Sequence, residues 1–456
     1  MFENSGKKKR TLRPGIVKQC FVDWELMSMV SLRRKVKRYL FSTFLEKNSC
    51  LLEVSRKVQF ALWQQSNKLG RIWGSERRNA NEILWVDPRI INLYIGDLPW
   101  SRFSMRGRIE GGDWDLASKP FAPTPVNRAI EARFIRGESW KSTRLYELVS
   151  KEIEAGAVRW GCSSIEAFEE RLARLEQLYR EISENGYKSQ EELSKASVDA
   201  HTWEKTSPFN KYDEVTICID RHGRMLLRDG KHRLAMAKAI GIPQIPVVVG
   251  LRHREWQAFR QEVRQSVGPG CDPHALFPHP DLQGKEEQCG RAMVDLMLAQ
   301  LKSQNGSLLD LGARFGFYCH QFERAGFECT AVEANPKRKK ALEKLRVAQD
   351  RKFEVISPAD LDERASLRYD VVLALDALHR YFATPESFNS LRLLLNRVDT
   401  KALFFQPHDV NDPAMQGAYR NPSPEDFVRL VMEYTGLSRV RQVSTSSGRP
   451  LYIIER

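Results

Sequence analysis

The chain has 456 residues, 42% hydrophobic and 29% charged, which allows two to four domains with ample core and excludes a disordered or low-complexity protein. No apolar run reaches the roughly 18 residues of a membrane helix, and residues 1–13 are polar and basic, which excludes a secretory signal. Of the formal net charge of +14, residues 1–80 carry +12 (18 Lys+Arg against 6 Asp+Glu), so the basic excess belongs to the N-terminal segment.

Eight cysteines, at positions 20, 50, 162, 218, 271, 289, 319 and 329, form no Cys-x-x-Cys pair. This argues against zinc and against a disulfide framework, and suits a reducing cytoplasm. No metal site is expected.

Residues 1–80 read as a basic helical extension. Val36, Leu40 and Phe44, then Leu51, Val54, Val58 and Leu62, recur at helical spacing beside Arg33, Arg34, Lys35, Lys37 and Arg38. The segment is either a helical arm with a solvated basic face or a binding arm for nucleic acid or an anionic surface.

Residues 81–260 read as one α/β domain. Ile83–Val86 is a short strand stopped by Asp87-Pro88, and Gly111-Gly112-Asp113-Trp114-Asp115 is a turn with two acids around an indole. That cluster either holds a cation or sugar or caps a turn and buries the tryptophan. A helix runs over 165–185, with Phe168, Leu172, Leu175 and Tyr179 on its apolar face. Val215–Ile219 and Met225–Leu227 flank a turn at Gly223 and form a hairpin, followed by a helix from about His232 to Ile240 and a strand at Ile245–Val249.

Residues 261–285, rich in Pro and Gly, read as an interdomain linker. From 286 to 456 strands alternate with helices: Leu308–Leu311, Cys329–Val332, Phe353–Ile356, Val371–Leu375, Ala402–Phe405 and Leu451–Ile454. Such alternation implies a parallel sheet covered on both faces.

The first of these strands ends in Asp310 and enters the turn Gly312-Ala313-Arg314-Phe315-Gly316, and the second ends in Glu333. A glycine turn lets backbone approach a ligand, and a carboxylate at the next strand end can accept two ribose hydroxyls. The dehydrogenase fingerprint G-x-G-x-x-G is absent.

These residues resemble the class I S-adenosylmethionine-dependent methyltransferases over 286–456, and Asp310 to Tyr318 looks like the FkbM-type first motif. The resemblance implies a Rossmann-like seven-stranded sheet. It places Gly312 and Gly316 beneath the cofactor's amino-acid portion, with Asp310 in the same motif, and Glu333 on the ribose. Arg314 replaces the middle glycine and must point away from the cofactor or toward an anionic group. The adenine-side acid falls near Ser357 or Asp360, of which Asp360 is acidic. Asp370 to His379 looks like the fourth motif, which makes Asp376 and His379 the candidates for acceptor-side chemistry, with His408 a second histidine candidate. Each histidine has the alternative of a surface or capping role.

Asp229-Gly230-Lys231-His232-Arg233 at a helix mouth, followed by Gly241-Ile242, resembles the ParB/sulfiredoxin-like fold. There the turn binds nucleotide phosphates, which implies a nucleotide or phosphate site at Asp229, Gly230, His232 and Arg233. A helix N-terminus with nearby cations is a sound anion site. The alternative is a fold kept for packing, with Asp229 and Arg233 as structural partners.

The expectation is therefore an α/β enzyme. It would move a methyl group from S-adenosylmethionine to an oxygen or nitrogen of a small-molecule or phosphorylated acceptor, with a nucleotide possible at the ParB-like domain. Two other readings stay open. One is a nucleic-acid-binding protein using the basic arm and ParB-like domain; the other is a ParB-like nucleotide hydrolase or small-molecule kinase.

Overall fold

A computed structural model describes residues 83–96, 98, 105–195, 213–267, 276–284, 286–444 and 450–456. The basic extension over 1–80 lies outside the described residues, as do positions 268–275 and 285 of the expected linker.

In chain order the strands and helices begin with β1 (Ile83–Val86), β2 (Leu93–Tyr94), β3 (Arg108–Glu110), β4 (Lys119–Pro120) and α1 (Pro125–Phe134). Next come α2 (Arg144–Glu154), α3 (Ile165–Asn185), α4 (Gln190–Lys195), β5 (Val215–Ile219), β6 (Met225–Asp229), α5 (Lys231–Ile240), β7 (Ile245–His253) and α6 (Arg254–Gln265). The last third holds α7 (Glu286–Gln300), β8 (Gly306–Leu311), α8 (Phe317–Ala325), β9 (Phe327–Val332), α9 (Pro336–Ala348), β10 (Glu354–Ile356) and α10 (Pro358–Asp362). It closes with β11 (Leu367–Leu375), α11 (Pro385–Arg397), β12 (Val398–Gln406), α12 (Pro424–Thr435), β13 (Arg439–Ser444) and β14 (Leu451–Glu455).

Of the described residues, 132–186, 190–195 and 213 belong to one compact unit, and 83–131, 187–189 and 214–456 to the other. The first is helical. Thr143 and Ser164 cap α2 and α3 by accepting from backbone N–H groups of the first turn. Phe168, Leu172, Leu175, Leu178 and Ile182 form the buried stripe of α3. Phe134 stacks on Tyr179 at 3.8 Å, and Glu176 accepts from Arg133 Nε and Trp140 Nε1.

The second unit holds two seven-stranded sheets. One runs β1-β7-β5-β6-β2-β4 with β3 beside β7, and mixes parallel and antiparallel pairs. The Asp113–Asp115 cluster closes it at one corner. Arg221 bonds Asp115 through Nε and Nη2 and also reaches Asp113 and the Gly112 carbonyl. Asp115 is buried and Trp114 Nε1 donates to the Glu110 carbonyl, so both groups serve the turn.

Within the span 261–285, residues 261–265 complete α6, and Phe277, His279, Asp281 and Leu282 are buried. Asp281 receives Arg252 Nε and Nη2, at 3.1 and 2.6 Å, and Trp256 Nε1 at 2.9 Å, and His279 bonds the Gly223 carbonyl. Gly223 has φ +91°, and a Cβ there would sit 2.4 Å from the Trp256 ring, so only glycine fits.

The other sheet runs β10-β9-β8-β11-β12-β14-β13, parallel except where β14 meets its neighbours. Alternate residues face opposite cores: Leu309, Val372 and Leu403 on one side, Leu308, Leu373 and Phe404 on the other. Burial on both faces explains the near-continuous apolar strands. This is the seven-stranded Rossmann-like sheet that the resemblance implied, β13 being the strand not read from the sequence. No helix among the described residues is long and apolar enough to cross a membrane.

Candidate functional site

The order of the second sheet reverses beside β8, so a crevice opens where β8, β9 and β11 end, as open α/β sheets place their ligand sites. There the turn after β8 is held by Gly312 N and Ala313 N, which donate to the Val332 carbonyl at 3.0 and 2.9 Å. Gly312 has φ +80° and Gly316 has φ +78°. A Cβ on Gly312 would come 2.8 Å from that of Ala377, so this glycine meets the turn after β11. Gly316 opens α8 and packs on Leu342.

Arg314 and Asp376 are non-glycine residues with positive φ, +53° and +54°. Such strained backbone collects at functional sites. The two bond each other across the crevice, Arg314 Nη2 to Asp376 Oδ2 at 3.0 Å.

Glu333 is buried at the end of β9. It accepts from Arg314 N at 2.9 Å, Asn335 N at 2.7 Å and Arg338 Nε at 3.3 Å. The sequence singled out Glu333 but not Arg338, which bonds it. The signal was present, because Asn335-Pro336 caps α9 and places Arg338 one turn in, above the strand end.

A cavity of about 310 Å³ opens over this carboxylate. Gly312, Glu333 and Ala334 form one side, Pro358, Leu361 and Asp362 of α10 another, and Ala377, Leu378, Arg380 and Tyr381 a third. Of the residues singled out in the sequence, Gly312 and Glu333 line it. Asp310, Gly316, Asp360, Asp376 and His379 do not.

Asp310 is buried behind the turn. It accepts from Cys319 Sγ at 3.6 Å, and burial, reinforced by the Glu333 charge, pushes its carboxyl up to about 7. Asp360 instead caps α10: its carboxylate accepts from Ser357 N and Oγ, and Lys339 lies 3.5 Å away. The acid that α10 turns to the cavity is Asp362. Positions 358, 361 and 362 share a helix face, which the strand-end argument overlooked.

On the other side of Asp376 lie two buried imidazoles. His379 Nδ1 is 3.6 Å from Asp376 Oδ1, and the His379 and His408 rings are 5.8 Å apart. Burial holds the His379 pKa below its ordinary value, against the attraction of Asp376. His408 Nε2 meets Asn421 Oδ1 at 2.9 Å, and Asn421 Nδ2 donates to the Val410 carbonyl. That amide orientation makes His408 Nε2 the donor, and His408 Nδ1 has no hydrogen-bond partner among the described residues.

In the first sheet, Gly230 has φ +91° and opens α5 without a side-chain cap. Asp229 Oδ1 accepts from Gly230 N at 2.9 Å, Lys231 Nζ stands 5.0 Å from the Tyr94 ring centre, His232 is half-buried and Arg233 is buried.

No protein-family model and no curated protein matches this chain. Among solved structures it is similar to the bifunctional kinase-methyltransferase WbdD, at 16% identity over 40% of this chain and 43% of that one, TM-score 0.31. It is also similar to the magnesium protoporphyrin IX methyltransferase ChlM from Synechocystis PCC 6803, at 17% identity over 43% of this chain and 97% of that one, TM-score 0.30. A methyltransferase from Pyrococcus furiosus aligns at 11% identity over 44% of this chain and 97% of that one, TM-score 0.28. The chain spans under half the length of the WbdD structures it matches. From its own strand order, with an antiparallel β14 between β12 and β13 closing a parallel sheet, the C-terminal part has a methyltransferase-type fold.

Proposed function

We propose that the C-terminal sheet carries an S-adenosylmethionine-dependent methyltransferase acting on an oxygen or nitrogen of its acceptor. The observation that carries this reading is the cavity over Glu333, at the switch point of the sheet and flanked by the glycine turn. Its size is at the lower end for small-molecule sites, and apolar Leu361, Leu378 and Leu394 line it beside the carboxylate. The residues fit the cofactor: Glu333 keeps acceptor capacity for hydroxyl donors beyond its three N–H bonds. When bound, the cofactor supplies a methyl group on a sulfonium, open to a nucleophile.

The chain's own residues would do the rest. Gly312 holds the turn against Ala377, Glu333 takes the ribose, and Pro358, Leu361 and Leu378 flank the base. Arg314 and Asp376 hold the turns after β8 and β11 together. His379, kept neutral by burial, takes a proton from an acceptor that must lose one. The turn at Asp229, Gly230, His232 and Arg233 would serve as a nucleotide- or phosphate-recognition element, supported by the uncapped N-terminus of α5.

Ultraviolet crosslinking of radiolabelled S-adenosylmethionine tests the first reading. Labelling that S-adenosylhomocysteine competes away and Glu333→Ala removes is expected; labelling indifferent to both would reject it.

A further inference from the structure

A second and larger cavity, about 930 Å³, lies between α6 and α9, with Phe315 of the glycine turn at its edge. Its floor is apolar: Phe259 and Val263 from α6, Ala341 from α9, and Phe315. Lys344 sits half-buried with Nζ 4.6 Å from the Phe259 ring centre, and the carboxylates facing it are Glu255, Glu262 and Asp220, with Lys340 its cationic neighbour. At the N-terminal end of α9 the side-chain ammonium groups of the exposed Lys337 and Lys340 have no ion-pair or hydrogen-bond partner among the described residues. The positive end of the α9 dipole points the same way. Asn335 and Arg338 also line the cleft, and both bond Glu333 on their other side.

We propose that this cleft binds an amphiphilic small molecule, its phosphate or carboxylate head at Lys337 and Lys340 and its apolar body over Phe259, Val263 and Phe315. An apolar body is needed because the floor offers dispersion contacts and few polar partners. An anionic head is needed because four cations, Lys337, Arg338, Lys340 and Lys344, line the cleft against two carboxylates, Glu255 and Glu262. The site is separate from the cavity over Glu333 and does not depend on methyl transfer.

The test uses the full chain and two probes of similar body, anionic 1-anilinonaphthalene-8-sulfonate and neutral N-phenyl-1-naphthylamine, followed by fluorescence. Lys337→Glu with Lys340→Glu should weaken the anionic probe about tenfold and leave the neutral one nearly unchanged. Both lysines are exposed, and acids suit a helix N-terminus, so this variant retains the fold. Ala258→Trp, on the exposed face of α6 that lines the cleft, should weaken both probes. Octyl phosphate and octanoate should each displace the anionic probe better than octanol, the stronger of the two naming the head group. Anionic-probe affinity unchanged by charge reversal, probe binding indifferent to Ala258→Trp, or displacement no better than octanol would each overturn the proposal.

Discussion

Asp310 offers a prediction in which the sign and size both follow from the structure. Its carboxyl is fully buried, Cys319 Sγ donates to it, and burial raises its pKa from 3.8 to about 7. Between those values the unfolded chain has released the proton while the folded one keeps it, so stability falls as pH rises. Each unit costs about 1.4 kcal/mol, so the loss totals roughly 4 kcal/mol and is complete near pH 7. Asp310→Asn removes this titration while keeping the shape. Urea denaturation of both proteins at pH 5, 6, 7 and 8 separates the effect from any constant packing change. From pH 5 to 7 the variant should gain roughly 2–3 kcal/mol on the parent, with no further gain at pH 8. Parallel stability curves would show that Asp310 titrates alike in both states and would refute the reasoning.

Three other perturbations have definite outcomes. Gly312→Ala should cost about 1–3 kcal/mol from its positive φ, plus the clash with Ala377; a second change, Ala377→Gly, should recover only the steric part in urea melts. Asp281→Ala removes the buried carboxylate that Arg252 and Trp256 Nε1 share, so the urea midpoint should fall by the equivalent of about 3–5 kcal/mol; a shift near zero would mean water replaces the carboxylate. Asp376→Asn removes the charge that raises His379, so the histidine's titration, followed by NMR, should move to lower pH, and an upward move would contradict the geometry.

The parts of the site legible in sequence were those written as apolar strand, then turn, then acid. β8 with Gly312 and β9 with Glu333 follow from that pattern, because a parallel strand buried on both faces must be apolar until it leaves the sheet. Strand β13 was not legible. Three of the four residues in its Arg439-Val440-Arg441-Gln442 run are polar, and it lies at the sheet edge, where no second core demands apolar residues. The resemblance put the adenine-side acid at Asp360, yet the Ser357 capping box claims its carboxylate, and it is Asp362 that lines the cavity. Arg338, Asn421 and the cleft along α9 depend on how helices seat against neighbours, and one-dimensional spacing carries little of that. Residues 276–282 looked like linker because Pro and Gly surround them, although His279 and Asp281 are buried in the bonds of the first sheet.

Calorimetric titration of the purified chain with S-adenosylmethionine tests the central claim most directly. The account predicts a dissociation constant in the micromolar range, roughly −8 kcal/mol, weakened by Glu333→Ala. Absence of heat at millimolar ligand, or binding that Glu333→Ala leaves intact, would contradict it.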